Sequence, residues 1–201
     1  MLNICILKNL PIILLDDCLR VYHSIDKNTI VDEITPYHKT INLSQDFLQH
    51  VNTFLPLPLT SLELYSIAPG ARPVPHIDRG RKVALQIPME LDINASYTFA
   101  SKYEDLEMLT PLNWEYHYHR PDDKVVNKPK TSFFEWDSNL YDMYNLELPI
   151  LQNVSMPHGG VNNSKTNRFF ISGSYKTYEY NYVKDAFIEF ATLADVVIAP
   201  V

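Results

Sequence analysis

Two short segments carry side chains of the types that bind a transition metal. Pro75-His76-Ile77-Asp78 places an imidazole and a carboxylate two positions apart, and on an extended backbone such a pair lies on one face. Met156-Pro157-His158-Gly159-Gly160 offers a second imidazole. Two histidines and one carboxylate form the facial triad that binds iron(II) and leaves coordination positions open. The sequence therefore predicts a metal site made of His76, Asp78 and His158.

An arginine follows the second histidine at a spacing that suggests a shared site. Residues 159–164, Gly-Gly-Val-Asn-Asn-Ser, have the composition of a turn, and the segment beginning at Arg168 has that of a strand. A hairpin centred on Asn163 would place His158 and Arg168 opposite each other, with Cβ atoms about 5 Å apart. We therefore expect the Arg168 guanidinium beside the metal. There it suits a ligand that chelates the metal at one end and carries a carboxylate at the other.

The surrounding sequence predicts a mainly β architecture of the α+β class. Beyond Pro58, seven short stretches rich in β-branched and aromatic residues alternate with turn residues, which is typical of a sandwich or small barrel. They are 61–68, 82–89, 96–100, 114–119, 131–136, 147–156 and 168–176. Helical spacing follows an N-cap at Ser44 and recurs over Val183–Val197. We predict one domain, with a supporting strand and helix region at 1–60, a core at 61–182 and a C-terminal helix at 183–201.

Composition limits the classes of partner. The formal net charge is −7, so the chain lacks the basic footprint of a nucleic-acid-binding protein. Its two cysteines, Cys5 and Cys18, are too few for a disulfide framework and favour the reducing cytoplasm. The apolar stretch Ile4–Leu15 contains Lys8 and Pro11 and reads as an early strand or buried segment rather than a signal peptide. No apolar run approaches the roughly 20 residues needed to span a bilayer, so we predict a soluble protein with no membrane partner.

Two longer blocks around the candidate ligands resemble a known family. Residues 65–78, Tyr-Ser-Ile-Ala-Pro-Gly-Ala-Arg-Pro-Val-Pro-His-Ile-Asp, with Lys-Val-Ala-Leu-Gln-Ile-Pro at 82–88, resemble the aspartyl/asparaginyl β-hydroxylase branch of the 2-oxoglutarate oxygenases. The block 158–168 resembles that branch and the related prolyl hydroxylases, which have a basic residue ten positions after the distal histidine. Two departures stand out. Best-known aspartyl β-hydroxylases lack a metal-binding carboxylate where Asp78 lies, and other members have serine where this chain has Phe170.

The resemblance implies a fold, a cofactor set and a reaction. The fold is the double-stranded β-helix, a cupin-like jelly roll with flanking helices. Iron(II) is held by His76, Asp78 and His158, the far carboxylate of 2-oxoglutarate pairs with Arg168, and Tyr65 is its hydroxyl partner. With O₂, such an enzyme hydroxylates an amino-acid side chain in a peptide or protein and releases succinate and CO₂. Two alternatives stay open: an oxygenase acting on a free small molecule, and a non-catalytic jelly-roll binding module.

Two other polar groups allow a functional interpretation and a simpler one. His117-Tyr118-His119, followed by Asp123, loosely resembles a cupin metal motif, but Pro121 interrupts it, and a polar strand edge or loop explains it equally well. Arg79 and Arg81 beside the first metal segment would steer an acidic substrate, or else are solvated charges next to a turn.

Overall fold

The computed structural model describes residues 3–27, 32–35, 38–72, 74–78, 80–90, 95–111, 116–119, 125–128 and 133–193, and gives only the backbone at 32–35, 38–39, 116–119, 125–128 and 192–193. The strands are β1 (Ile4–Ile6), β2 (Asp32–Thr35), β3 (His38–Asn42), β4 (Ser61–Ile67), β5 (Val83–Glu90), β6 (Ser96–Ser101), β7 (Tyr116–His119), β8 (Val125–Lys128), β9 (Tyr141–Tyr144), β10 (Ile150–Asn153), β11 (His158–Asn162) and β12 (Arg168–Tyr175). The helices are α1 (Ile12–Ser24), α2 (Gln45–Asn52) and α3 (Tyr180–Leu193).

The strands form a large and a small antiparallel sheet with a characteristic order. The large sheet runs β1-β10-β5-β12-β4-β3-β2 and the small sheet β11-β6-β9, while β7 and β8 pair separately. Between β4 and β5, His76 pairs with His158 of β11 in an isolated bridge, so this segment extends the small sheet. The chain therefore passes repeatedly from one sheet to the other. This is the strand order of a double-stranded β-helix, and it confirms the predicted mainly β jelly roll with flanking helices.

Alternation along the strands separates two hydrophobic layers. On the outer face of the large sheet, Leu64, Leu85 and Ile171 pack in one buried cluster with residues of the three helices, including Leu14, Val51 and Phe187. On the inner face, Ile67, Phe170 and Ile150 form another cluster with Ala100 of the small sheet. Because successive side chains point to opposite faces, Arg168 lies on the same inner face as Phe170. The space between the sheets is where the predicted site residues meet.

The predicted hairpin between His158 and Arg168 is wrong. β11 pairs with β6, which places His158 opposite Ala100, whereas β12 pairs with β4 and places Arg168 opposite Ile67. The two strands therefore belong to different sheets. Gly159, which suggested a turn, lies within β11, where a Cβ would stand 2.5 Å from the Phe99 ring. A strand glycine here permits the close approach of a neighbouring group.

The other elements agree with the sequence to different degrees. The predicted strands at 61–68, 82–89, 96–100 and 168–176 are confirmed. The predicted strand at 131–136 is wrong over its described residues, 133–136, where Phe133 and Phe134 take part only in isolated bridges. α3 begins at Tyr180, and residues 194–201 lie outside the described part. α1, which begins directly after Pro11, was not predicted. No helix within the described ranges is long and apolar enough to cross a membrane.

Removing the N-cap of α2 should have a small, measurable cost. The backbone N–H of Phe47 donates to Ser44 Oγ at 3.2 Å, which satisfies one of the unpaired N–H groups of the first turn. We expect Ser44→Ala to lower the free energy of unfolding by about 1 kcal/mol, measured by urea denaturation. Ser44→Asp keeps a capping oxygen and should retain the stability. Equal losses in both variants would contradict the capping role.

Candidate metal centre

The two histidines are joined by their backbones. The N–H of His76 donates to the carbonyl of His158 at 3.0 Å, and the N–H of His158 donates back to the carbonyl of His76 at 3.0 Å. This reciprocal pair sets the two imidazole rings side by side, with centroids 4.7 Å apart. Residues distant in the chain thus become neighbours through the small sheet.

Each imidazole is oriented through its Nδ1 atom. His76 Nδ1 lies 3.0 Å from the carbonyl oxygen of Val74, and His158 Nδ1 lies 3.0 Å from that of Met156. A carbonyl oxygen only accepts, so Nδ1 carries the hydrogen and the lone pair lies on Nε2. The two Nε2 atoms are 3.7 and 3.8 Å from the Asp78 oxygens. Backbone carbonyls fix metal-binding histidines in this way.

The three side chains form a compact donor set. One ligand atom from each of His76, Asp78 and His158 lies within 4.8 Å of the others. Burial lowers the pKa of His158 to about 3 despite the neighbouring carboxylate, so its imidazole is neutral and able to bind a metal at physiological pH. Two neutral nitrogens and one carboxylate oxygen fit a divalent transition metal with open coordination positions. The structure thus brings together the three residues that the sequence indicated.

Arg81 holds the carboxylate of this donor set. Its Nε donates to Asp78 Oδ2 at 2.6 Å and its Nη1 to Ser172 Oγ of β12 at 2.7 Å. Burial alone would raise the pKa of Asp78, but Arg81 and the two imidazoles outweigh it and hold that pKa well below its usual range. The Arg81 side chain is only 14% exposed, so it is not a solvated charge. Arg79 lies outside the described residues.

Breaking this ion pair should destabilise the metal-free protein. Arg81→Met leaves the Asp78 charge without its partner, and we expect a loss of about 2–3 kcal/mol in unfolding free energy. This is below the usual cost for a fully buried pair because both side chains keep some exposure. Added Fe(II) should restore part of the loss, since a bound cation compensates the same charge. Urea denaturation with and without Fe(II) measures both effects, with Arg81→Lys as the charge-retaining control. Unchanged stability in Arg81→Met would mean that Asp78 is compensated elsewhere.

Arg168 is a buried cation without a carboxylate partner among the described residues. It is 1% exposed, and burial lowers its pKa to about 10, so it stays charged at neutral pH. Nη1 donates to the carbonyl of Tyr97 at 2.8 Å and to that of Val161 at 3.4 Å, and Nη2 donates to Thr98 Oγ1 at 3.0 Å. A buried charge that is not neutralised is costly. Such a group suits an incoming anion.

The hydrogen bonds of Arg168 do not use all of its N–H groups. A guanidinium has five N–H groups, and the three contacts on Nη1 and Nη2 use three of them. Nε is buried and has no hydrogen-bond partner among the described residues. Its N–H and one N–H of Nη2 therefore remain, and two N–H groups on neighbouring nitrogens match the two oxygens of a carboxylate. Gly160 leaves room for this guanidinium, because a Cβ there would lie 3.1 Å from Nη1.

The Arg168 guanidinium reaches from β12 of the large sheet to the small sheet, one row along from His158. His158 is opposite Ala100, and Gly160, against which the guanidinium lies, is opposite Thr98. Residues two apart on a strand share a face and are separated by about 6.6 Å. The cation therefore lies one row from the metal ligands, on the same face, and a ligand that binds both would be a short chelating acid.

Each of the two guanidinium groups lies over one ring of a stacked aromatic pair. The Tyr65 and Phe170 rings stack with centroids 5.3 Å apart. Arg81 lies over Tyr65, at 5.6 Å, and Arg168 over Phe170, at 5.3 Å. Burial raises the pKa of Tyr65 against the opposing charge of Arg81, and the carboxylates of Glu63 and Asp78 raise it further, so its hydroxyl stays protonated. The role of Tyr65 as hydroxyl partner of 2-oxoglutarate stays a prediction.

The sequence missed some residues of this site and left others open. Thr98 and Ser172 fall on predicted strands, but only the pairing of the sheets shows that their hydroxyls reach Arg168 and Arg81. His117 and His119 lie on β7, with side chains outside the described part, as is Asp123. The cupin-like interpretation of that motif stays a prediction.

Comparison with known proteins yields structural likeness alone. No family model matches the chain, and no curated protein matches it. A Pseudomonas putida prolyl-4-hydroxylase superposes with a TM-score of 0.46 at 10% identity, covering 88% of this chain and 93% of that one. An oxalate oxidase in complex with glycolate gives 0.33 at 13% identity, with 84% and 80% covered. A Lactobacillus farciminis oxalate decarboxylase gives 0.35 at 8%, with 76% and 33% covered. The fold assignment itself comes from the strand order of this chain.

Proposed function

We propose that this protein is an Fe(II)- and 2-oxoglutarate-dependent dioxygenase that hydroxylates a C–H bond of an amino-acid side chain in a peptide or protein. One observation carries the proposal. Arg168, a buried cation with donors to spare and no carboxylate partner among the described residues, lies one sheet row from a two-histidine, one-carboxylate donor set. A chelating keto acid with a second carboxylate satisfies both groups at once.

Each residue of the site has a distinct task in this proposal. His76, Asp78 and His158 would hold the metal and leave coordination positions open for other ligands. When bound, iron(II) supplies the O₂ activation that couples conversion of 2-oxoglutarate into succinate and CO₂ to hydroxylation of the substrate. Arg168 fixes the direction in which the keto acid lies. Arg81 positions the carboxylate of Asp78 through a charge-assisted hydrogen bond.

Succinate formation tests the reaction class. The protein is loaded anaerobically with Fe(II), mixed with 2-oxoglutarate and air, and succinate is measured with and without a library of peptides and free amino acids. A gain of one oxygen atom in the mass of a peptide supports the proposal, whereas a gain confined to free amino acids indicates an oxygenase for small molecules. Binding of 2-oxoglutarate without succinate under any condition would indicate a non-catalytic module. Asp78→Asn is the control for activity from adventitious iron.

A further inference from the structure

The surroundings of Arg168 contain a second group suited to a carboxylate. Thr98 is 1% exposed, lies on the inner face of β6, and accepts a hydrogen bond from Arg168 Nη2 at 3.0 Å. Its own hydroxyl hydrogen points to Gln86 Oε1 at 3.4 Å, a long contact for an O–H donor. The hydroxyl can therefore turn to a better acceptor without giving up a strong bond.

Thr98 contacts a chain of buried side-chain amides that are hydrogen-bonded across the two sheets. Gln86 Nε2 donates to Gln152 Oε1 at 2.6 Å, and Gln152 Nε2 donates to the carbonyl of Phe99 at 3.0 Å. Both glutamines are buried on the large sheet, and Phe99 belongs to the small sheet. A buried network with its members paired holds each member in place. Thr98 thus has a fixed position and a hydroxyl free to rotate.

We infer that Thr98 is a co-substrate-binding residue, whose hydroxyl donates a hydrogen bond to the far carboxylate of 2-oxoglutarate beside Arg168. This inference rests on the proposed function. The register supports it, because Thr98 is opposite Gly160 and therefore one row from His158 along the small sheet, about 6.6 Å for two residues. An acid chelated at the metal would extend its free end toward this row.

Thr98 has a more direct relation to Arg168 than the residue that the sequence suggested. Tyr65 stacks on Phe170 and lies beside Arg81 and Glu63, whereas the Thr98 hydroxyl is bonded to the guanidinium itself. A carboxylate that takes the remaining N–H groups of Arg168 therefore comes within reach of Thr98. We expect the Thr98 hydroxyl to contribute more to co-substrate affinity than that of Tyr65.

Two variants of nearly the same shape separate the hydroxyl from packing. Thr98→Val removes the hydroxyl, and Thr98→Ser keeps it. 2-Oxoglutarate is titrated into the anaerobic Fe(II) protein, and the metal-to-ligand charge-transfer band reports binding without turnover. Thr98→Val should bind about ten-fold or more weakly, as for a lost hydrogen bond to a charged group, with Thr98→Ser close to the wild-type protein and Tyr65→Phe affected less than Thr98→Val. Unchanged affinity in Thr98→Val would overturn the inference.

Two further arms decide whether the contact is direct. 2-Oxobutyrate chelates a metal in the same way but has no far carboxylate, so its affinity should be the same in wild type and Thr98→Val; equal losses for both acids would overturn the inference. In an Arg168→Lys background the guanidinium is absent, and the loss on Thr98→Val should persist. Its disappearance would make Thr98 a positioning residue for Arg168 and refute the direct contact. A wild-type protein that binds Fe(II) but neither acid contradicts the proposed function itself, which is a different result from any of these.

Discussion

Replacing any one of His76, Asp78 and His158 by alanine should abolish iron-dependent turnover. The structure places their ligand atoms within 4.8 Å of one another, and a triad that loses one member loses both affinity and the facial geometry that leaves positions open for substrates. Fe(II) binding by equilibrium dialysis and succinate formation measure the two consequences separately.

Control variants separate the loss of a metal ligand from the loss of the folded structure. Asp78→Ala also leaves Arg81 unpaired, so Asp78→Asn, whose amide oxygen still accepts from Arg81, is the better test of the carboxylate. His23→Ala, at an exposed position of α1, is the matched histidine control and should behave as wild type. Retained turnover in a triad variant removes that residue from the ligand set. Residual activity in Asp78→Gly would place the chain nearer the aspartyl β-hydroxylases, which manage with two histidines.

Replacing Arg168 by alanine should separate co-substrate binding from metal binding. Its guanidinium contacts no metal ligand, so Fe(II) affinity should stay nearly intact. Affinity for 2-oxoglutarate should fall by about 2–5 kcal/mol, the usual effect of truncating one side of a buried charge pair. Arg168→Lys should recover part of this, because lysine keeps the charge and loses the two-pronged geometry. Anaerobic titration of the Fe(II) protein with 2-oxoglutarate measures each affinity.

Arg72 provides the matched control for this prediction. It is an exposed arginine whose side chain donates to Asn163 Oδ1 at 3.0 Å rather than to a residue of the candidate metal centre. Arg72→Ala should bind 2-oxoglutarate as the wild type does. An unchanged titration in Arg168→Ala would show that this arginine does not hold the co-substrate. The 2-oxoglutarate assignment would then rest on the metal triad alone.

Local patterns in the sequence were enough to predict the main parts of the candidate site. The spacing of His76 and Asp78 on an extended backbone is a local property, and so is the cap at Ser44 that begins α2. The alternating segments that became β4, β5, β6 and β12 follow from side-chain periodicity, which pairing with distant strands does not alter. The spacing of ten residues suggested Arg168 as a co-substrate residue, and the resemblance to a known family supported it and added Tyr65.

Tertiary structure decided which of these parts meet and through what contacts. The sequence suggested that Arg168 faces His158 across a hairpin, but β11 and β12 lie in different sheets, and Arg168 reaches the small sheet across the space between them. The glycines of β11 have the local composition of a turn. Only the fold brings the Phe99 ring and the guanidinium against them, which is why glycine fits within this strand. Thr98 and Arg81 gain their roles from partners on other strands. Strand pairing joins residues far apart in the chain, so no local pattern records it.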